Sequence, residues 1–315
     1  MKRGSTWNPI RREADIFSRI GHGRAIGHHG ELIQGVFEDR EGRLQRGLIS
    51  LPCRDYKSRA TLTLERERPL SVTPVNREKA KRAAKFVLDR FGPARAGGQL
   101  SISSNIPIGR GMGSSTADVL ASIIAAFDSL DCQPSAQMVM EIAVAAEGAC
   151  DSTLYSQVAV LFAQREGAII ESFKNSLPLL DVISVDTTPD RIVDTLKFPP
   201  AEYVPSEIEL FRVLRGMVRE GLGTGNIELL GKAATASAEI NERFLLKPGL
   251  HEIKRIGDLH GAAGVQVAHS GTVVGLMFDP KQPSRDERLE FAARQLGNLG
   301  FEPTIICTTS ELWKA

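Results

Sequence analysis

Pro107-Ile108-Gly109-Arg110-Gly111-Met112-Gly113-Ser114-Ser115-Thr116-Ala117 links a strand-like run at 99–104 to the start of a helix. Its three alternate glycines allow positive φ and a close approach of backbone to ligand. The helix behind them aims its unpaired N–H groups and the positive end of its dipole at whatever occupies the loop. Val119, Leu120, Ile123, Ile124 and Phe127 recur at helical spacing on an amphipathic pattern. Ser114, Ser115 and Thr116 put three hydroxyls in the first turn, where a cap needs one. The stretch reads as a cradle for a polyanion, and the plainer alternative is a tight glycine turn.

Two familiar phosphate loops are excluded. No Gly-Lys-Ser/Thr ends the stretch, so it is not a Walker loop, and neither its glycine spacing nor a following βαβ unit fits a dinucleotide fingerprint. It resembles instead the Pro-x-x-x-Gly-Leu-Gly-Ser-Ser-Ala-Ala loop of the GHMP small-molecule kinases, with Met112 for Leu and Thr116 for Ala. That resemblance implies that Pro107, Gly109, Gly111, Met112, Gly113, Ser114, Ser115 and Thr116 wrap the triphosphate of ATP without a loop lysine. It also implies an α+β fold of two domains: an ATP-binding domain like ribosomal protein S5 domain 2 over 1–165, and a ferredoxin-like domain over 166–315.

The rest of the chain is compatible with this. It has 315 residues, 42% hydrophobic and 24% charged, with a formal net charge of +1, which suits a globular protein of one large or two ordinary domains. Charges of both signs are mixed, so nucleic acid is not indicated. No apolar run approaches the roughly 18 residues of a membrane span, and no targeting segment is recognisable. Cys53, Cys132, Cys150 and Cys307 lack metal-ligand spacing, and reduced thiols in a cytoplasmic protein are expected. A homodimer is an open expectation.

Upstream of the loop, 1–15 is polar, and 17–37 reads as two short strands joined by a tight glycine link. Within it lies Gly27-His28-His29-Gly30-Glu31-Leu32-Ile33-Gln34-Gly35. By composition this is a hairpin with solvent-facing His and Glu. It is also similar to the substrate-side motif of GHMP kinases, above all to that of the L-threonine kinases of the cobalamin side-chain pathway. The resemblance makes Glu31 a partner for a substrate ammonium, and leaves His28 and His29 between substrate binding and a turn role. Segments 48–53, 58–65 and 70–75 alternate apolar and polar as antiparallel strands, and 76–91 is an amphipathic helix stopped by Gly92-Pro93.

Downstream, a second helix ends in Ala145-Ala146-Glu147-Gly148-Ala149-Cys150-Asp151-Ser152-Thr153. As composition alone this is a solvated helix end. A kinase, however, needs a carboxylate for Mg²⁺ and a group to position the attacking hydroxyl. By resemblance Glu147 binds Mg²⁺ together with Ser115, and Asp151 orients or deprotonates the acceptor or holds its amine. Cys150 reads as a packing residue. After Ser156 the pattern becomes strands at 158–162, 168–173 and 179–186, helices at 205–221, 226–244 and 248–259, strands at 265–269 and 272–278, a helix at 284–296 and a strand at 303–307. His269-Ser270-Gly271-Thr272 between two of these strands is by composition a hairpin turn. It resembles the third GHMP motif in its threonine-kinase form, which would bring Ser270, Gly271 and Thr272 to the substrate or the γ-phosphate.

Together these readings lead to the expectation of a kinase that uses ATP and Mg²⁺ to phosphorylate a small hydroxy amino acid, L-threonine before homoserine. A nucleotide-binding regulator that has lost turnover is the alternative from another class.

Overall fold

The computed structural model describes residues 19–191 and 201–307. The polar segment 1–15 lies outside them. Two long strands, β1 (Ile20–Glu38) and β2 (Leu44–Arg66), form an antiparallel hairpin that carries everything else. The two short strands expected over 17–37 are one strand, and 48–53 and 58–65 are likewise one. Register shifts at Ile26/Gly27, His28/Glu31 and Glu31/Ile33 absorb the glycines as bulges, which bend a strand without ending it.

On one side of the hairpin follow β3 (Ser71–Thr73), α1 (Glu78–Phe91), β4 (Ala96–Ser104), α2 (Ser114–Ser129) and α3 (Ala136–Glu147). β4 pairs antiparallel with β2, whereas β3 runs parallel to β4, contrary to the antiparallel reading of 70–75. α1 intervenes between β3 and β4, and such a crossover returns the chain in the same direction. β5 (Val160–Ala163) and β6 (Ala168–Ser172) extend from the far end of β2.

On the other side come β7 (Asp181–Asp186), α4 (Pro205–Thr224), α5 (Ile227–Glu242), α6 (Leu250–His260), β8 (Gly264–Val267), β9 (Val273–Phe278), α7 (Arg285–Asn298) and β10 (Thr304–Cys307). Their order in the sheet, β10-β7-β9-β8, is that of a ferredoxin-like sheet. β8 meets β1 at Glu31 and Val267, so both halves share a single sheet.

The expected amphipathic helix α2 is buried almost all round, Asp118, Ser122 and Ser129 included. Asp118 is ion-paired inside with Arg77 at 2.6 Å and accepts a hydrogen bond from the Ser58 hydroxyl at 2.6 Å. The helix lies directly on β1, because a Cβ at Gly23 would stand 1.9 Å from the Ala121 carbonyl oxygen. Leu62, Leu100, Ile123, Val87 and Phe162 fill the core beneath α1–α3, each side chain contributing about 1.5–3 kcal/mol on burial. Separate cores underlie α4–α5 and α6–α7. No described helix is long and apolar enough to cross a membrane.

Candidate active site

The loop before α2 has the backbone its glycines allow. Gly109, Gly111 and Gly113 take φ of 73°, 77° and 75°. Gly113 is the residue before the helix, and its carbonyl accepts the first helical hydrogen bond, from Ala117 N–H at 2.8 Å. The first N–H groups of α2 therefore open onto the loop.

Contacts from β1 and from the β8–β9 turn hold the loop in place. His28 N–H donates to the Met112 carbonyl at 3.1 Å, and Thr272 N–H donates to the Arg110 carbonyl at 3.1 Å. A Cβ at Gly271 would lie 1.9 Å from that same carbonyl oxygen, so the turn fits only without a side chain there. Arg110 faces away from the cradle, pairing with Asp186 at 3.0 Å and donating to the carbonyls of Thr188, Pro189 and Arg191. Met112 is buried with Cys53, Ile106 and Ala268, so its side chain packs while its carbonyl fixes β1.

Two acids flank the cradle. Glu147, the last residue of α3, accepts from the Thr116 hydroxyl at 3.0 Å and has Lys79 at 3.5 Å. Burial raises its pKa, against hydrogen bonding from Ser115, the charge of Lys79 and the Thr116 bond. A buried carboxylate beside two hydroxyls at a phosphate loop is a donor set of the kind a hard divalent cation takes, so Ser115 and Glu147 fit Mg²⁺. The Thr116 hydroxyl, which replaces the usual alanine, is committed to Glu147 and lies close enough to Asp151 to help hold its pKa low.

Asp151 opens a short 3₁₀ turn, Ser152–Tyr155, and is buried against β1. Its Oδ2 lies 3.0 Å from His28 Nε2. The other ring nitrogen of His28 faces the Gly30 carbonyl at 3.2 Å and Glu31 Oε1 at 3.4 Å. Both nitrogens thus face oxygens that can only accept, which requires an N–H on each and a charged ring. Burial alone would depress its pKa, but the charge of Asp151 and its hydrogen bond, with Glu31 behind, lift it. Conversely, burial would raise Asp151, and the charge and hydrogen bond of His28 hold it low. His28, Glu31 and Asp151 present ligand-type atoms within 4.8 Å of one another. With the imidazole charged, its nitrogens donate and the three side chains form a salt-bridged chain.

The chain continues into the other half of the sheet. Glu31 Oε2 accepts from His269 N–H at 2.7 Å, and its Oε1 stands 3.2 Å from His269 Nδ1. The row Asp151–His28–Glu31–His269 therefore runs from α3's end, across the β1 bulge, to the third motif. The structure brings together the loop, Glu147, Asp151, His28, Glu31, Gly271 and Thr272. Thr272 has a buried hydroxyl without a hydrogen-bond partner among the described residues. His269, given no role from sequence, is a member; its position beside Ser270 was the only signal. His29 points elsewhere, its Nε2 2.7 Å from the Ser184 hydroxyl and its Nδ1 against Gln266, and burial pushes it down to about 4, so it is neutral packing.

Known proteins resemble this chain in sequence and fold. The family model described as GHMP kinases N terminal domain matches residues 78–162, and GHMP kinases C terminal matches 218–301. An L-threonine kinase of Salmonella typhimurium is 30% identical over 261 residues, covering 80% of this chain and 81% of its own. A homoserine kinase of Moorella thermoacetica is 26% identical over 239 residues, covering 74% of this chain and 77% of its own. Among solved structures, homoserine kinase from Cytophaga hutchinsonii superposes with a TM-score of 0.70 over 97% of both chains at 15% identity, a likeness of fold. With both family models in sequence order on the two halves of one sheet, and a relative similar over four-fifths of its length, this chain belongs to the GHMP kinases and is a small-molecule kinase.

Proposed function

We propose that this kinase transfers the γ-phosphoryl group of ATP to the hydroxyl of a small hydroxy amino acid, with L-threonine the preferred acceptor and O-phospho-L-threonine the product. The observation that carries this reading is the contact between the acid row and the phosphate loop. A Cβ at Gly113 would stand 2.5 Å from His28 Cδ2 and 3.3 Å from Asp151 Oδ2, so Asp151 lies beside the last glycine of the loop, which supports a role for it at the phosphoryl group to be transferred. The threonine and homoserine kinases among the relatives support an amino-acid acceptor.

The residues take the following roles. The open N–H groups of α2 and the loop backbone hold the triphosphate. Ser115 and Glu147 would hold Mg²⁺, which on binding neutralises charge on the β and γ oxygens. Asp151, fixed by His28, orients the acceptor hydroxyl. Its oxygen bonds to the γ-phosphorus as the bond to the β–γ bridging oxygen breaks and ADP leaves. Asp151 is held ionised, with its pKa lowered, and is a weak base toward a free alcohol. The proton accordingly passes to it late, once the new bond to phosphorus has made the hydroxyl acidic, and then to solvent. Glu31 and His269 keep the row charged and carry it to the second half of the site. Catalysis rests on positioning and charge stabilisation.

The test is product identification by phosphorus NMR with ATP, Mg²⁺ and L-threonine. O-phospho-L-threonine should accumulate in step with ADP. ADP formed without it, or at a rate indifferent to added hydroxy amino acid, would reject the assignment.

A further inference from the structure

Lys247 sits between α5 and α6 and is among the largest fully buried side chains of the molecule, 1% exposed. Its ammonium donates to Asn241 Oδ1 at 3.1 Å and to the Leu245 carbonyl at 2.9 Å. An ammonium has three N–H donors, and among the described residues no carboxylate forms an ion pair with this one. Glu242 takes the Lys247 backbone N–H at 2.9 Å instead, and acts on the ammonium only through space, as Glu31 does. Buried cations are otherwise paired, because an unmatched charge costs several kcal/mol, by about the magnitude found when one partner of a buried pair is removed.

The position of this cation relates it to the site. Asn241 Nδ2 donates to Gln34 Oε1 at 3.3 Å, and Gln34 N–H donates to Ser237 Oγ at 2.9 Å. Lys247 is thereby tied to β1 three residues from Glu31, whose charge reaches it. Burial pushes the Lys247 ammonium down to about 8, with Glu242 and Glu31 pulling the other way, so it remains mostly charged at neutral pH. The acidic row of Asp151 and Glu31 is compensated by His28 and His269, whereas the Lys247 cation beyond it has, among the described residues, no ion-pair partner. A ligand carboxylate complements that cation.

We propose that the Lys247 ammonium binds the carboxylate of the amino-acid acceptor and so selects hydroxy amino acids over simple amino alcohols. This rests on the amino-acid-kinase reading above. Asn241 and Gln34 act as positioning residues that hold the ammonium toward β1.

The experiment compares L-threonine with 1-aminopropan-2-ol of the matching configuration, which is the same skeleton without its carboxylate, for the wild-type protein, Lys247→Met and Lys247→Arg. Wild type should prefer L-threonine in kcat/KM by about a hundredfold or more, as expected where a site's polar group is left unmatched. Lys247→Met should lose most of that preference through a raised KM for L-threonine, with the amino alcohol and the KM for ATP changed by less than about threefold, and Lys247→Arg should restore part of it. A wild type that uses the amino alcohol as well as L-threonine overturns the proposal without reference to any variant, so a Lys247→Met protein that fails to fold does not shelter it. Equal losses on both acceptors in a folded variant overturn it too, marking Lys247 as structural. Wild type that phosphorylates neither compound rejects the amino-acid-kinase reading itself and this proposal with it.

Discussion

His28 Nε2 lies 3.0 Å from Asp151 Oδ2, and both side chains occupy the space a Cβ at Gly113 would need. His28 N–H also donates to the Met112 carbonyl at 3.1 Å, so the acid row is bonded to the phosphate loop and a disturbance of one is felt by the other.

Replacing the cation that links the acids should show in stability as well as in rate. His28→Asn leaves Asp151 and Glu31 facing each other without it, and should lower stability by about 3–5 kcal/mol near pH 6, as for a broken buried pair. The sign of its pH dependence follows from the shifts. His28 is raised to about 9, so its contribution is complete below the unfolded value of about 6.5 and is lost as pH rises through about 9. Asp151 is lowered to about 2, so its part is present above about 4 and lost as pH falls toward 2. Urea melts of both proteins from pH 4 to 9 should show the gap widest between about 4 and 6.5 and closing toward 9. A gap that grows with pH would contradict the charged-imidazole assignment.

At Gly113, φ of 75° and the nearness of His28 both exclude a side chain. Gly113→Ala should weaken ATP binding measured by calorimetry and lower kcat together. Gly216→Ala, within α4 and with nothing within 4 Å of its added Cβ, should instead raise stability by about 0.5–1 kcal/mol and leave turnover unchanged. ATP affinity unaltered in a folded Gly113→Ala protein would remove the cradle assignment.

The metal role proposed for Glu147 can be probed through Thr116, whose hydroxyl donates to Glu147 at 3.0 Å. Glu147→Gln should reduce turnover by about a hundredfold or more, the scale of losing a principal electrostatic contribution. Thr116→Ala should raise the Mg²⁺ concentration needed for half-maximal rate by a few-fold while saturating Mg²⁺ restores most of kcat. Glu147→Gln activity close to wild type across a full Mg²⁺ titration would move the metal elsewhere.

Local features of this site are legible in the sequence, and long-range ones are not. The loop, with its glycines and hydroxyls, is contiguous, and Glu147 and Asp151 are four residues apart, so spacing alone brings them into consideration. The continuity of β1 is hidden because Gly27, Gly30 and Gly35 look like breaks, whereas the strand runs through all three, with register shifts around His28 and Glu31 that keep both residues paired with β2. His269 acquires its meaning only through Glu31, 238 residues away. Lys247, next to Pro248 at the start of a helix, has the local signature of a solvated lysine, and only the packing of α5 on β1 reveals it as buried.

The most direct test is kcat/KM at saturating ATP and Mg²⁺ for L-threonine, L-serine, L-homoserine, glycerol, galactose and mevalonate, measured side by side. L-threonine should lead. L-serine should fall behind by the roughly 1–3 kcal/mol that a missing methyl is worth, and acceptors lacking the amino-acid groups should trail by orders of magnitude. Galactose or mevalonate turning over faster than every hydroxy amino acid would contradict the account while leaving a kinase, and ADP release with none of them would leave a nucleotide-binding protein without this chemistry.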